Sequence, residues 1–311
     1  MSAPPRILVL GGGGQVGSAL AALDWAGAHL AVAGRADGDI TSPRIAALIA
    51  AARPQVVINA AAYTNVEMAQ TERAAAFAVN AQAPATLAAA CAQAGAWLIH
   101  YSTDYVFDGS KEGAYVETDA PNPLNVYGES KLAGERAIAA GGCRHLILRT
   151  GWVYSRDGDN FVNKILARAR AGTPLKVVDD QFGAPTWAHS LAQATRRAVE
   201  VIMAPEPGHD LPAHGTATVP APTAAKLSPD TPSPGGVYHL SAAGRASWRE
   251  VALQVLALRG IDLPVAPVAA NSFASATRRP ANSQLDSGRF AATFGSRIGP
   301  WREDLARCLA K

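Results

Sequence analysis

Ile7-Leu-Val-Leu10-Gly11-Gly-Gly-Gly14-Gln15-Val16-Gly17 is the stretch from which the fold can be read. Four consecutive apolar residues with no polar alternation describe a strand covered on both faces. A Gly-x-x-Gly-x-x-Gly turn follows at once, through Gly11, Gly14 and Gly17. Such a turn lets the backbone bend sharply and approach a diphosphate closely, while the next helix points its first N–H groups at the anion. Strand, glycine turn and helix in that order predict a dinucleotide-binding unit at the start of the chain.

The same rhythm continues outward. Leu30–Ala33, Val56–Asn59, Trp97–Ser102 and His145–Leu148 are short apolar runs of the same kind. Alanine-rich helical stretches lie between them, near Gln15–Leu23, Arg44–Ala52, Glu72–Asn80, Ala83–Ala94 and Ser130–Ala140. Alternation of this type predicts an α/β fold, a doubly wound parallel sheet of the Rossmann type. Residues 1–150 are expected to form the nucleotide domain and 151–311 a smaller, mixed α/β substrate domain. The helix near 189–203 is a candidate to return to the first domain. The stretch 204–236, rich in Pro, Ala, Thr and Gly, reads as a mobile surface insertion. A strand at Val237–Leu240 and helices near Ser247 and Pro300–Ala310 are assigned to the small domain.

Composition narrows the class. The chain has 311 residues, 49% of them hydrophobic and 17% charged, with a formal charge of +3. That supports a sizeable core and carries no dense basic stripe, so neither a nucleic-acid nor a membrane partner is expected. The first ten residues hold too short an apolar run for a signal segment. Cys91, Cys143 and Cys308 form no disulfide framework and no metal-ligand spacing. The reading is a cytoplasmic protein without a metal site.

Ligands of such sheets bind outside the carboxyl ends of the strands. After the second strand stands Gly34-Arg35 where an acidic residue would favour NADH. Arg35 is either a two-pronged partner for a 2′-phosphate or a solvated surface arginine. The first reading selects NADPH, with NADH as the second cofactor the residues admit. Asp39 and Ile40 are placed to flank the adenine. Ala61, Ala62, Tyr63 and Thr64 follow the third strand, where small residues allow a close backbone approach to a ligand or to a packed helix. Tyr127 and Lys131 are four residues apart and share a helical face. A phenol ionises at about pH 10 unperturbed; a neighbouring ammonium favours phenolate and eases proton exchange with a substrate oxygen. Thr103, at the end of the fourth strand, either hydrogen-bonds that oxygen or caps the strand.

Tyr101-Ser-Thr-Asp-Tyr-Val-Phe-Asp108, Pro123-Leu-Asn-Val-Tyr127-Gly-Glu-Ser-Lys131-Leu-Ala-Gly-Glu135 and Asp180-Gln-Phe-Gly-Ala-Pro-Thr186 together resemble the dTDP-4-dehydrorhamnose reductases. These are extended short-chain dehydrogenase/reductases, and the resemblance runs from about Arg6 to Leu309. It implies reduction of a dTDP-linked keto sugar to dTDP-L-rhamnose. Tyr127 would be the proton donor, Lys131 the ribose ligand that tunes it, and Thr103 a modulator at the carbonyl. Gly14, Gln15, Val16, Asp39, Ile40, Ala62, Tyr63, Thr64 and Tyr101 would line the cofactor. Thr103, Asp104 and Trp152 would contact substrate, while Gln181 and the turn Arg279-Pro-Ala-Asn282 close the nucleotide end. Some relatives dimerise through magnesium held by glutamates, but Ser18-Ala19 offers no carboxylate there. A monomer or homodimer without metal is therefore expected. Two rivals share the scaffold: a nucleotide-sugar epimerase or dehydratase with tightly held NAD, and a non-catalytic nucleotide-binding regulatory subunit.

Overall fold

A computed structural model describes residues 4–204, 234–272 and 277–310. Its centre is a six-stranded, all-parallel sheet of β1 (Arg6–Leu10), β2 (His29–Ala33), β3 (Val56–Asn59), β4 (Trp97–Thr103), β5 (His145–Thr150) and β6 (Gly236–His239). The spatial order is β6-β5-β4-β3-β1-β2. The chain leaves β1 for β2 on one side and then crosses back to β3 on the other. The carboxyl ends of β1 and β3 therefore flank the switch point where such sheets bind ligands.

Two apolar layers account for the unbroken hydrophobic runs. Successive side chains of a strand point to opposite faces. Ile7, Val9, Val56, Ile58, Ile99 and Leu148 pack with Leu20 of α1 (Gln15–Ala21) and Leu191 of α6 (Ala188–Ile202). Leu8, Leu10, Val57, Leu98 and Ile147 pack with Ile49, Leu87 and Ile138. These last three come from α2 (Ile45–Ala52), α3 (Ala83–Ala94) and α4 (Val126–Ala140). β2, at the sheet edge, is largely exposed. The helical run Arg73–Ala94 is long and apolar enough, by length and composition, to cross a membrane, yet half of that apolar window is buried inside the fold.

Several sequence expectations change. Val237–Leu240, assigned to the small domain, belongs largely to β6, which pairs with β5 in the main sheet. Helix α6 packs on α1, the return already open for the helix near 189–203, so with β6 a single cut at 150 does not describe the sheet. The helix expected over Glu72–Asn80 is instead Arg73–Phe77 followed by a π turn, Ala78–Gln82. Helix α4 begins four residues before the expected Ser130, because Asn125 caps it by accepting from Gly128 N at 2.9 Å. Most of the stretch 204–236 lies outside the described residues.

The smaller part contains α5 (Phe161–Arg170), α7 (Trp248–Leu258), α8 (Trp301–Leu309) and three two-stranded pairings. Val153–Tyr154 pairs with Thr186–Trp187, Leu175–Val178 with Val265–Val268, and Phe182–Gly183 with Ala246–Ser247.

Candidate active site

A cavity of about 580 Å³ opens over the carboxyl ends of β1, β3 and β4. It is within the size range of small-molecule sites. Gly11, Gly14, Gln15, Val16, Arg35, Asp39, Ile40, Ala61, Ala62, Thr64, Tyr101, Tyr127 and Lys131 all line it. The sequence did not single out Thr41, Val79, Ser102, Thr150, Val153, Gly158 or Asp159, which line it too.

The glycine turn is built for close approach. Gly11 has φ +84°, and a Cβ there would lie 2.5 Å from Ala61 N. Gly17 does not line the cavity; a Cβ on it would stand 2.1 Å from the Gly11 carbonyl oxygen. Its part is to let α1 pack against the turn. Gln15 Oε1 accepts from Ser155 Oγ at 2.8 Å and from Asn160 Nδ2 at 3.1 Å. The loop before α5 is thereby pinned over the glycine turn.

At the Arg35 end of the cavity, Asp39 is occupied locally. Its carboxylate accepts from the Thr41 hydroxyl at 2.7 Å and from Thr41 N at 2.9 Å. Those bonds, with a smaller contribution from the Arg35 charge, hold Asp39 below the usual carboxylate range. Beyond β3, Tyr63 does not line the cavity as expected. Its phenol donates to Glu72 at 2.7 Å, while Asn80 clamps its backbone by accepting from Tyr63 N and donating to Tyr63 O. Asn80 also donates to Ser130 of α4 and sits in the π turn, a departure from α-helix often found at functional sites. Nothing in the local sequence marks it.

Tyr127 and Lys131 are carried on α4, both facing the cavity. Lys131 Nζ donates to the Tyr101 carbonyl at 2.6 Å. The Tyr101 phenol itself points away and bonds Thr195 at 2.6 Å. Burial holds the Lys131 ammonium down to about 8, with Glu135 opposing. The sequence reading expected a nearby ammonium to favour phenolate at Tyr127. Here burial dominates and pushes the phenol up to about 12, with the hydrogen bond to Thr103 pulling the other way. The phenol is thus kept protonated. The Tyr105 ring meets it edge-on at 5.8 Å.

Thr103 makes the cap that one of its two readings expected. Its Oγ1 caps Tyr105 N at 3.1 Å, donates to Asp104 Oδ1 at 3.0 Å and hydrogen-bonds Tyr127. Asp104 is 2% exposed, and burial pushes its carboxyl up to about 6 despite bonds from Ser283 and Thr103. Trp152 Nε1 donates to the same Ser283 at 3.1 Å. The Trp152 backbone is left-handed, with φ +52°, and its ring stacks on Trp248 at 3.5 Å with planes 2° apart. A Cβ on Gly183 would lie 2.4 Å from that ring. Thr103, Asp104 and Trp152 therefore form one connected wall, braced by Ser283 and Trp248, which no motif announced. Gln181 is half-buried just before Phe182–Gly183. Arg279 lies nearer the surface, paired with Glu67 at 2.7 Å.

The family model described as the RmlD substrate binding domain matches residues 5–311. A dTDP-4-dehydrorhamnose reductase of Burkholderia thailandensis is 39% identical, with 98% of each chain covered. The chain belongs to the dTDP-4-dehydrorhamnose reductase family. The Escherichia coli K12 member is 37% identical, over 88% of this chain and 85% of its own. A crystal structure of the Bacillus anthracis dTDP-4-dehydrorhamnose reductase in complex with NADP superposes with a TM-score of 0.85 at 28% identity. That match covers 97% of this chain and 98% of the other.

Proposed function

We propose that this reductase transfers hydride from NADPH to the 4-keto group of dTDP-4-dehydro-6-deoxy-L-mannose, giving dTDP-L-rhamnose. The observation that carries the reading is the meeting of Tyr127 and Lys131, with Thr103 beside Tyr127, at a cavity whose turn leaves no room for a side chain at Gly11. The named activity of relatives up to 39% identical supports it, as does the Bacillus anthracis complex with NADP. The glycine cradle fits a dinucleotide: Gly11–Val16 would hold the diphosphate, Arg35 the adenosine phosphate and Lys131 the ribose beside the nicotinamide. When bound, NADPH supplies the hydride.

This chain's own residues do the rest. Tyr127 stores the proton that the substrate oxygen needs, and burial keeps it there at working pH. Thr103 fixes the direction of the phenol hydroxyl. Asp104 and the rigid Trp152 wall seat the sugar, and Arg279 is positioned to exchange Glu67 for a substrate phosphate. The three cysteines are free and buried, in keeping with action in the cytoplasm.

The test follows NADPH absorbance with dTDP-4-keto-rhamnose and with UDP- and GDP-linked keto sugars. Turnover confined to the dTDP substrate is expected. A protein purified with tightly held NAD and showing no net oxidation of NADPH would instead be an epimerase or dehydratase. Two variants probe the cofactor site. Arg35→Ala removes a charge-assisted bond of about 1.5–3 kcal/mol, so NADPH affinity falls by at least tenfold while NADH affinity changes little. Equal losses for both cofactors, in fluorescence titrations, would remove Arg35 from the phosphate site. Gly17→Ala forces the turn apart and is expected to lower melting temperature by the equivalent of about 1–3 kcal/mol and to weaken both cofactors alike. Unchanged thermal denaturation and cofactor binding would contradict it.

A further inference from the structure

Beneath α4, two side chains outside the family motifs, Asn59 and His100, join Lys131 in a chain of hydrogen bonds. Lys131 Nζ lies 3.0 Å from His100 Nε2, in addition to its bond to the Tyr101 carbonyl. On the other edge of the ring, His100 Nδ1 meets the side-chain nitrogen of Asn59 at 3.0 Å. Asn59 Oδ1 in turn accepts from Ala61 N at 3.1 Å. Asn59, His100 and Lys131 are each 1% exposed, so water does not relieve a mismatched pair.

These bonds constrain one another. Ala61 N–H claims Asn59 Oδ1, which turns the NH₂ of Asn59 toward His100, and an NH₂ only donates. Nδ1 is then the acceptor, and the single proton of a neutral imidazole sits on Nε2. That N–H faces Lys131 Nζ. An ammonium carries three donors and no lone pair, whereas an amine has a lone pair to accept with.

We infer that Asn59 and His100 are positioning residues for Lys131: Asn59 selects the tautomer of His100, and the Nε2–H so presented favours the uncharged amine over the ammonium. This rests on the assignment of Lys131 to the catalytic set. The groups facing Lys131 pull in both directions, with burial the larger influence. From β4, His100 is held neutral by burial and by the Lys131 charge. On α4 itself, Glu135 favours the ammonium, but it is already engaged by Arg149 of β5 and by Ser102. Tyr127 is neutral, and the Tyr101 phenol is turned to Thr195. Lys131 thus gains and loses its proton near working pH rather than remaining a permanent cation.

Long-range ¹H–¹⁵N correlation on protein labelled with ¹⁵N-histidine reads the tautomer directly, with the His100 signals assigned by their loss in His100→Gln. Nε2 protonated and Nδ1 bare is the expected result; a protonated Nδ1 overturns the inference. The tautomer is read on the unsubstituted protein, and the variant serves only to assign the His100 signals. Asn59→Asp supplies a carboxylate that accepts from both Ala61 N and Nδ1, reversing the tautomer and making Nε2 an acceptor for the ammonium. Lys131 then keeps its proton to higher pH, and the alkaline limb of the kcat profile, expected near 8, moves up by at least about one unit. A folded Asn59→Asp variant with an unmoved limb also overturns the inference. Lys131→Met separates the two claims. Full activity there removes the catalytic assignment, whereas an inactive variant beside a protonated Nδ1 leaves that assignment standing and removes only the tautomer device.

Discussion

Tyr127→Phe is expected to lower kcat by about 10²–10⁴-fold, the usual contribution of a positioned proton donor. The substitution removes one oxygen and keeps the ring. The edge-on contact with Tyr105 survives, as does the phenyl face toward the cavity. NADPH affinity in fluorescence titration should therefore change by less than about threefold, while single-turnover hydride transfer slows by nearly the whole kcat factor. The specificity of the loss matters more than its size. If kcat and NADPH affinity fell together by similar factors, Tyr127 would be a cofactor ligand and not the proton donor. Activity close to that of the unsubstituted enzyme would end the assignment outright. Thr103→Val is the companion variant, since it removes the hydrogen bond that aims the phenol while leaving the phenol itself in place.

Arg149→Met is expected to have the largest effect on stability, about 3–5 kcal/mol, because it strands a buried charge. Arg149 on β5 grips Glu135 of α4 with two bonds, Nε to Oε1 at 2.9 Å and Nη2 to Oε2 at 2.6 Å. Both side chains are 5% exposed, and Ser102 Oγ donates to the same carboxylate at 2.5 Å. Three elements thus meet on one buried ion pair: α4, β5 and β4, the strand that also carries Thr103. Removing the guanidinium leaves a buried carboxylate with one hydroxyl partner. Urea denaturation should show the loss, and the double variant Glu135→Gln/Arg149→Met should regain a large part of it by removing the orphaned charge. A double variant no more stable than Arg149→Met alone would mean that packing against Phe107, over which the guanidinium lies at 5.2 Å, is the larger contribution.

Local patterning carried much of the architecture. Apolar runs without alternation announce buried parallel strands, and Ile7–Leu10, Val56–Asn59 and Trp97–Ser102 are such strands in the sheet. The spacing of Tyr127 and Lys131 places them on one helical face wherever that helix docks. Where the reading departed from the structure, the missing information was tertiary. Val237–Leu240 looked the same as any other strand, and only its partner, β5, shows which sheet it joins. The lowering expected for the Tyr127 phenol rested on a neighbouring ammonium and on the oxidised nicotinamide; what the sequence did not show is that burial pushes the phenol of the cofactor-free protein up. Tyr63 seemed a cofactor contact by position, yet Glu72 and Asn80 turn its side chain elsewhere.

By itself, then, the order of residues settled the parallel α/β sheet, the glycine turn at its switch point and the pairing of phenol with amine. Each depends on neighbours a few positions apart, whose geometry the backbone repeats reliably. Tertiary structure alone decided that Trp152 stacks on Trp248, that Glu135 is locked to Arg149, and that Asn59 reaches Lys131 through His100. These partners are separated by 14 to 96 positions along the chain, and what brings them together is the burial of polar groups, which must find whichever partner the packing places within reach.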